Sequence, residues 1–416
     1  MAAPRTNQAI EAVWRIEAAR VIAGVARLVG DVGLAEEFAH DALVAALEQW
    51  PSEGVPRNPG AWLTTTAKRR AIDQIRRRER FERSLPDLLL PEAVDAVDVE
   101  DEPIEDDLLR LIFTACHPVL PSEARVALTL RLLGGLSTDE IARAFLVPST
   151  TVGQRISRAK KTLADAHVPF ELPVGADREG RLTSVLEVIY LIFNEGYSAT
   201  AGDDWIRPSL CEEAMRLGRV LAGLMPSEAE VHGLVALLEI QASRTAARTG
   251  PSGEPIVLLE QDRRRWDRLL IRRGLAALAK AESLGGGTYT LQAAIAACHA
   301  RAGTAEETDW SRIASLYARL AELSPSPIVE LNRAVAVSMA EGPAAGLAVL
   351  EPLLAEPSLR QYHLLPSVRG DFLAKLGRTA EARAEFERAA SMTRNERERA
   401  LLLDRAAACG TGVASP

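Results

Sequence analysis

Aromatic side chains are scarce in this chain, making up 5% of its 416 residues. Sheets lean on aromatic and β-branched residues, whereas Ala, Leu, Arg and Glu, abundant here, favour helices. The composition therefore argues for an all-α fold. Cysteine is also sparse: Cys116, Cys211, Cys298 and Cys409 lie far apart with no C-x-x-C pair. That argues against a disulfide framework and fits a reducing cytosol. Cys116-His117 and Cys298-His299 lack a second pair at zinc spacing, so they read as buried small hydrophobes rather than metal ligands. The histidines are scattered, and no G-x-S-x-G, H-E-x-x-H or phosphate-cradling G-x-x-x-x-G-K motif occurs. No catalytic residue, metal or cofactor is assigned, and an enzyme is not expected. No apolar run approaches the roughly 20 residues of a membrane span. The run Val188 to Phe193 is too short, and the N-terminus lacks the charged-then-apolar layout of a signal peptide. A soluble cytoplasmic protein with no membrane partner is expected.

Cationic charge is plentiful but unevenly placed. The chain as a whole is acidic, at formal net charge -8. Yet Lys68 to Arg83 carries Lys68, Arg69, Arg70, Arg76, Arg77, Arg78, Arg80 and Arg83 against only Asp73, Glu79 and Glu82. Ser149 to Lys161 carries Arg155, Arg158, Lys160 and Lys161 with no acid. Between them, Pro86 to Asp107 holds ten carboxylates and no Lys or Arg. Basic clusters in a chain of opposite sign read as electrostatic footprints for phosphate; the plain alternative is a solvated helix face. The acidic stretch reads as an extended linker, either a spacer or a cover over the basic helix.

Helical spacing of Ala, Leu and Val runs from Ile10 to Trp50, interrupted near Gly30 and Gly33. Pro51 to Pro59 reads as a loop, and a helix restarts near Gly60. On it, Leu63, Ala67, Ala71 and Ile75 form one apolar stripe while Arg69, Asp73, Arg76 and Arg80 form another stripe on a different face. Farther on, a helix ends at Leu132-Leu133-Gly134-Gly135-Leu136, and Ser137-Thr138-Asp139-Glu140 opens the next with a capping box. Val147-Pro148 breaks that short helix, and Ser149 is expected to cap a third. There Val152, Ile156, Ala159 and Leu163 share one face, with Thr151, Gln154, Arg155 and Arg158 on the other. This is the helix-turn-helix arrangement, with a polar, basic last helix suited to the major groove; a plain helical corner is the alternative. Gln and Arg can read base edges, and Lys160 and Lys161 suit phosphates.

The remainder stays Ala- and Leu-rich. An irregular insertion spans Thr249 to Pro255, and Gly285-Gly286-Gly287 suggests a boundary. Arg301-Ala302-Gly303, Ala340-Glu341-Gly342 and Lys375-Leu376-Gly377 each end a helical stretch, spaced 39 and 35 residues apart. The last unit, with Gly370, Gly377, Ala382, Phe386 and Ala389, fits a tetratricopeptide (TPR) helix pair. A short degenerate solenoid is expected, with an ordinary helical bundle as the alternative. Asn194, Glu195 and Tyr197, in Asn194-Glu195-Gly196-Tyr197, form either a ligand motif or a buried packing corner.

The first 167 residues resemble the sigma-70 family, specifically its small extracytoplasmic-function (ECF) members. The resemblance is carried by Ala35 to Ala42 with Leu47 and Trp50, by Pro59-Gly60-Ala61-Trp62-Leu63 leading into Lys68 to Asp73 and Arg76-Arg77-Arg78, and by Leu133 to Lys161. Leu191 to Ser198 and Leu258 to Arg263 resemble a subgroup with a C-terminal TPR-like extension. The resemblance implies that Glu36, Asp41 and Trp50 contact core RNA polymerase. It implies that Trp62, Lys68, Arg69, Arg70, Arg76, Arg77 and Arg80 recognise and melt the -10 element. Ser149, Thr150, Thr151, Gln154, Arg155, Arg158 and Lys160 would read the -35 element, and the acidic linker would thread toward the RNA exit channel. The expected architecture is all-α: two small helical domains binding DNA and polymerase, the second a helix-turn-helix, then a large TPR-like extension. The expected partition is a region 2-like domain (1–85), linker (86–107), region 4-like domain (108–167), helical middle domain (168–285) and repeats (286–416). Expected partners are core RNA polymerase, promoter DNA, and a protein or peptide on the repeats. The expected function is promoter-specific initiation regulated by the extension. The competing reading is a polymerase-independent activator with a TPR-like sensor.

Overall fold

A computed structural model describes residues 3–83, 104–145, 147–197, 207–250, 256–393 and 396–410. Among the described residues there are eighteen α-helices, a few short 3-10 turns and no strand, so the all-α expectation holds. The chain divides into two units, residues 1–191 and 192–416.

The first unit contains α1 (Ala3–Val29), α2 (Val32–Glu53), α3 (Pro59–Arg83), α4 (Ile104–Ala115), α5 (Ser122–Leu132), α6 (Thr138–Phe145), α7 (Ser149–Asp165) and the start of α8 (Gly175–Tyr197). Gly30 makes the first turn at φ 69, which a residue with a Cβ adopts only with strain. Asp31 then caps α2 by accepting from the amides of Gly33 and Leu34 at 2.6 and 3.0 Å. Helix α2 continues through Pro51, so the following loop is shorter than its prolines suggest. The acidic stretch is shorter too. Its last residues are helical, and Asp107 is buried against Arg27 (3.2 Å) and Arg110 (2.8 Å). The stretch 84–103 lies outside the described residues.

The first three helices pack on one another, and α1 also packs against α4. The N-terminal half of α8 is pinned to α4 and α5. Buried Arg181 donates to the carbonyl of Phe113 at 3.2 Å, and buried Arg125 bonds to Ser184 and, at 3.2 Å, to Glu187.

The second unit holds the end of α8, then α9 (Pro208–Leu224), α10 (Ala229–Ala242), α11 (Arg268–Ser283), α12 (Thr288–Arg301), α13 (Trp310–Leu323), α14 (Pro327–Glu341), α15 (Pro343–Leu350), α16 (Leu364–Lys375), α17 (Thr379–Met392) and α18 (Glu396–Gly410). Helix α10 is apolar nearly all round and packs against α9, α11 and α12. From α12 onward each helix packs on its neighbour in sequence, as stacked hairpins do. Arg301, Glu341 and Lys375 end α12, α14 and α16, as the repeat spacing predicts. At the glycine triplet, Gly285 and Gly286 form a tight turn at φ 110 and 64. Glu230 of α10 reaches across to cap α12, accepting from the amides of Tyr289 (2.7 Å) and Thr290 (3.1 Å) and from both threonine hydroxyls. The insertion at 251–255 lies outside the described residues. Cys116 and Cys298 are buried, as the sequence suggests, and so is Cys211; burial pushes the Cys116 thiol to about 11 and the Cys211 thiol to about 12.

Candidate nucleic-acid interface

Helix α3 separates its two roles by face. Leu63, Ala67 and Ala71 are buried, while Arg69, Asp73, Arg76 and Arg77 point to solvent. Asn58 starts the helix by accepting from the Ala61 amide at 3.1 Å. Trp62 is half-buried, with the edge of Trp50 against its ring at a centroid distance of 5.3 Å. Lys68 is half-buried, and its stem lies along α1 near Gly24. Arg70 meets Asp41 in an exposed ion pair at 3.5 Å; such pairs contribute about 0–1 kcal/mol. The side chain of Arg80 lies outside the described residues.

The α5–α6–α7 segment carries the predicted turns. Gly135 takes φ 65, and the Leu136 amide returns to the Leu130 carbonyl at 3.1 Å. The capping box is present: the Ser137 amide donates to Glu140 at 2.8 Å, and the Glu140 amide donates to the Ser137 hydroxyl at 3.2 Å. The amide bond from Ser137 is the largest influence on the Glu140 carboxyl and holds it below the usual range. Ser149 does not cap α7. Pro148 occupies that position without a side-chain bond, and the Ser149 hydroxyl instead donates to Asp139 at 2.6 Å, tying α6 to α7. Val152, Ile156, Ala159 and Leu163 are buried; Thr150, Gln154, Arg158 and Lys161 are exposed, with Thr151 and Arg155 half-exposed.

Three expected contact residues are placed differently. Trp50 is a core residue, 2% exposed. Glu36 is 4% exposed, and its carboxylate receives Arg131 Nε at 2.6 Å and pairs with Lys160. Lys160, half-buried, is therefore engaged by a carboxylate of the same unit. Burial pushes the Glu36 carboxyl up, but Lys160 and Arg131 outweigh it and leave the group below its ordinary value. His40 joins the cluster: its Nδ1 lies 2.9 Å from the Glu36 carbonyl, and its Nε2 lies 2.9 Å from Arg131 Nη2. This suits the neutral Nδ1–H tautomer, with Nε2 accepting.

Residues 15–81 match the sigma-70 region 2 family and residues 110–163 the sigma-70 region 4 family. Residues 181–282 match a family of unknown function, DUF6596. An uncharacterized protein of Rhizobium meliloti (strain 1021) is 45% identical over 378 residues, 89% of either chain. The chain belongs to the sigma-70 family, as an ECF-type member. A probable ECF RNA polymerase sigma factor, SigI, of Mycobacterium tuberculosis is 27% identical over 195 residues, 43% of this chain and 67% of that one. The ECF RNA polymerase sigma-E factor of Haemophilus influenzae is 37% identical over 71 residues, 17% of this chain and 37% of that one. For this sigma-70 member, regions 2 and 4 correspond to α1–α3 and α4–α7, and DUF6596 starts within α8. Arg131 and His40 were missed as site residues from sequence. Nothing local marks Arg131, 95 residues from Glu36, and although His40 sits one helical turn from Glu36, its contact with Arg131 spans 91 residues.

The Asn194–Tyr197 motif forms a packing corner in the second unit. Glu195 pairs with Arg207, the Tyr197 ring stacks on Phe193 at 5.4 Å, and Arg248 lies 3.6 Å above it. A Cβ on Gly196 would lie 2.7 Å from the Cys211 nitrogen, so only glycine fits that crossing. Asn194 is half-buried beside them.

Proposed function

We propose that this sigma factor directs core RNA polymerase to promoters by reading a -35 element with α7 and a -10 element with α3, and that the C-terminal unit regulates that activity. The observation that carries the reading is α7 itself. Four apolar residues seat it, and Gln154, Arg155 and Arg158 line the opposite face of the last helix of a helix-turn-helix. Arg69 and Arg77 on α3 offer a second cationic face. The factor performs no covalent chemistry in this scheme. It supplies phosphate neutralisation, register and stabilisation of an unpaired strand, and polymerase makes the RNA. The stacked hairpins of the second unit suit a protein or peptide partner. No helix among the described residues is long and apolar enough to cross a membrane, which is compatible with action in the cytoplasm beside polymerase.

The test is a promoter footprint with reconstituted holoenzyme. Arg158→Ala weakens specific binding by about 1–3 kcal/mol, whereas Lys161→Ala mainly lowers the salt slope by roughly 1. A footprint unchanged by Arg155→Ala and Arg158→Ala together removes α7 as the reader.

A further inference from the structure

Cations are concentrated a third time, in the second unit. Between Asp262 and Lys280 stand Arg263, Arg264, Arg265, Arg268, Arg272, Arg273 and Lys280 against only Asp262 and Asp267. The structure sorts these residues by use. Arg263 is buried and donates to the carbonyls of His299 and Ala302. Asp262 is taken up by Arg264 at 3.0 Å. Asp267 caps α11, accepting from the amides of Leu269 (2.8 Å) and Leu270 (3.1 Å). Arg273 reaches the buried carboxylate of Glu239 at 3.3 Å, but Arg219 of α9 holds the same oxygen at 2.7 Å, so the trio keeps a net positive charge. That leaves Arg265, Arg268, Arg272 and Lys280, all exposed. Among the described residues none of the four forms an ion pair, and Arg268 makes a long bond to the Arg263 carbonyl at 3.5 Å.

Helix α11 has the same two-faced build as α3 and α7. Ile271, Gly274, Leu278 and Ala281 are buried, and a Cβ on Gly274 would stand 2.6 Å from Ile240 Cγ1 of α10. The inner face is thus seated closely, and the outer face carries the cations. From Arg268 to Lys280 the helix runs about 18 Å, the length of about five phosphates along one strand of a duplex.

We propose that α11 and the arginines before it grip the phosphate backbone of duplex DNA, as a third contact beside α3 and α7. The grip extends the sigma-factor reading above, which supplies the DNA. The chemistry of the face selects this partner. Proteins that hold single strands combine cations with exposed aromatics on which bases stack; the aromatic here, Trp266, is 3% exposed. Protein interfaces centre on aromatic and apolar anchors. The outer side of α11 offers Leu269 as its exposed large apolar residue, with the small Ala276 and Ala279 exposed between Arg273 and Lys280. In a chain of net charge -8, a helix whose only acid is Glu282 lets the second unit approach DNA that the chain as a whole repels. The face adds affinity and salt dependence rather than sequence preference, as phosphate contacts do.

The test titrates the full-length chain, with and without core polymerase, onto fluorescent duplexes over a range of salt. The duplexes are genomic fragments that the holoenzyme transcribes and an arbitrary sequence of equal length. Each phosphate contact removed takes about 0.9 from the slope of log affinity against log salt. Arg265→Gln/Arg268→Gln/Arg272→Gln should therefore lower the slope by about 2–3 on both duplexes and weaken binding severalfold at low salt, with the melting temperature unchanged. Glu282→Gln should tighten binding. A triple-variant slope within about 0.5 of wild type overturns the proposal. So does a loss of assembly with core polymerase in the absence of DNA, which would make the face a protein contact. Weakened binding of single-stranded RNA with duplex binding intact overturns it as well. Failure of the wild-type holoenzyme to start transcription on any fragment would instead sink the sigma-factor reading, while the slope on the arbitrary duplex would still decide whether α11 holds phosphate.

Discussion

Buried charge is the recurring theme at the residue scale. Arg125, Arg181, Arg248, Arg263, Glu36 and Glu239 are all buried, and each has polar partners. Arg263 is a case of structural use: it donates to the carbonyls of His299 and Ala302 and to the Thr308 hydroxyl, closing the C-terminus of α12. Its charge also acts on His299, whose ring packs against Trp310 at 5.1 Å. Burial, helped by Arg244 and Arg263, lowers the His299 imidazole from 6.5 to about 4. Below pH 6.5 the unfolded chain takes up this proton before the folded one does. Stability from the neutral ring is therefore complete above pH 6.5 and is lost as pH falls toward 4, by about 3 kcal/mol in all. Thermal melts across that range should show a loss that His299→Gln reduces; identical pH profiles would contradict it.

At the scale of elements, local signals were readable and contacts across the chain were not. The α3 stripe, the Ser137–Glu140 box and the helix ends at Arg301, Glu341 and Lys375 follow from spacing and capping chemistry that lie within a few residues. Glu36 reads as a contact only through the resemblance to the sigma-70 family; its burial depends on Arg131 and Lys160, far along the chain. Ser149 reads as a cap because serine is favoured at helix N-caps, but Pro148 holds that position and the Ser149 hydroxyl donates to Asp139. The cap that follows the glycine triplet has no local signal, because Glu230, which supplies it, sits 58 residues from Thr288. That cap gives a test. Glu230→Ala removes the acceptor for two amides and two hydroxyls at the start of α12. It should cost about 2 kcal/mol in denaturant unfolding, the upper end for a lost N-cap. A cost below about 0.5 kcal/mol would mean water replaces the carboxylate without penalty.

At the scale of the whole molecule, an acidic chain concentrates cations on α3 and α7 and places long helical hairpins after them. Its division into units is marked chemically by the thiols. Cys116 sits in the first unit and Cys211, Cys298 and Cys409 in the second. Burial raises Cys116, Cys211 and Cys298 alike, so at neutral pH they remain thiols rather than nucleophilic thiolates. Only Cys409, on α18, is partly open to solvent. An electrophile such as a maleimide dye should therefore attach at one place. Peptide mapping after brief treatment should recover label on Cys409 alone, and a dye there would report on the second unit, to which α18 belongs.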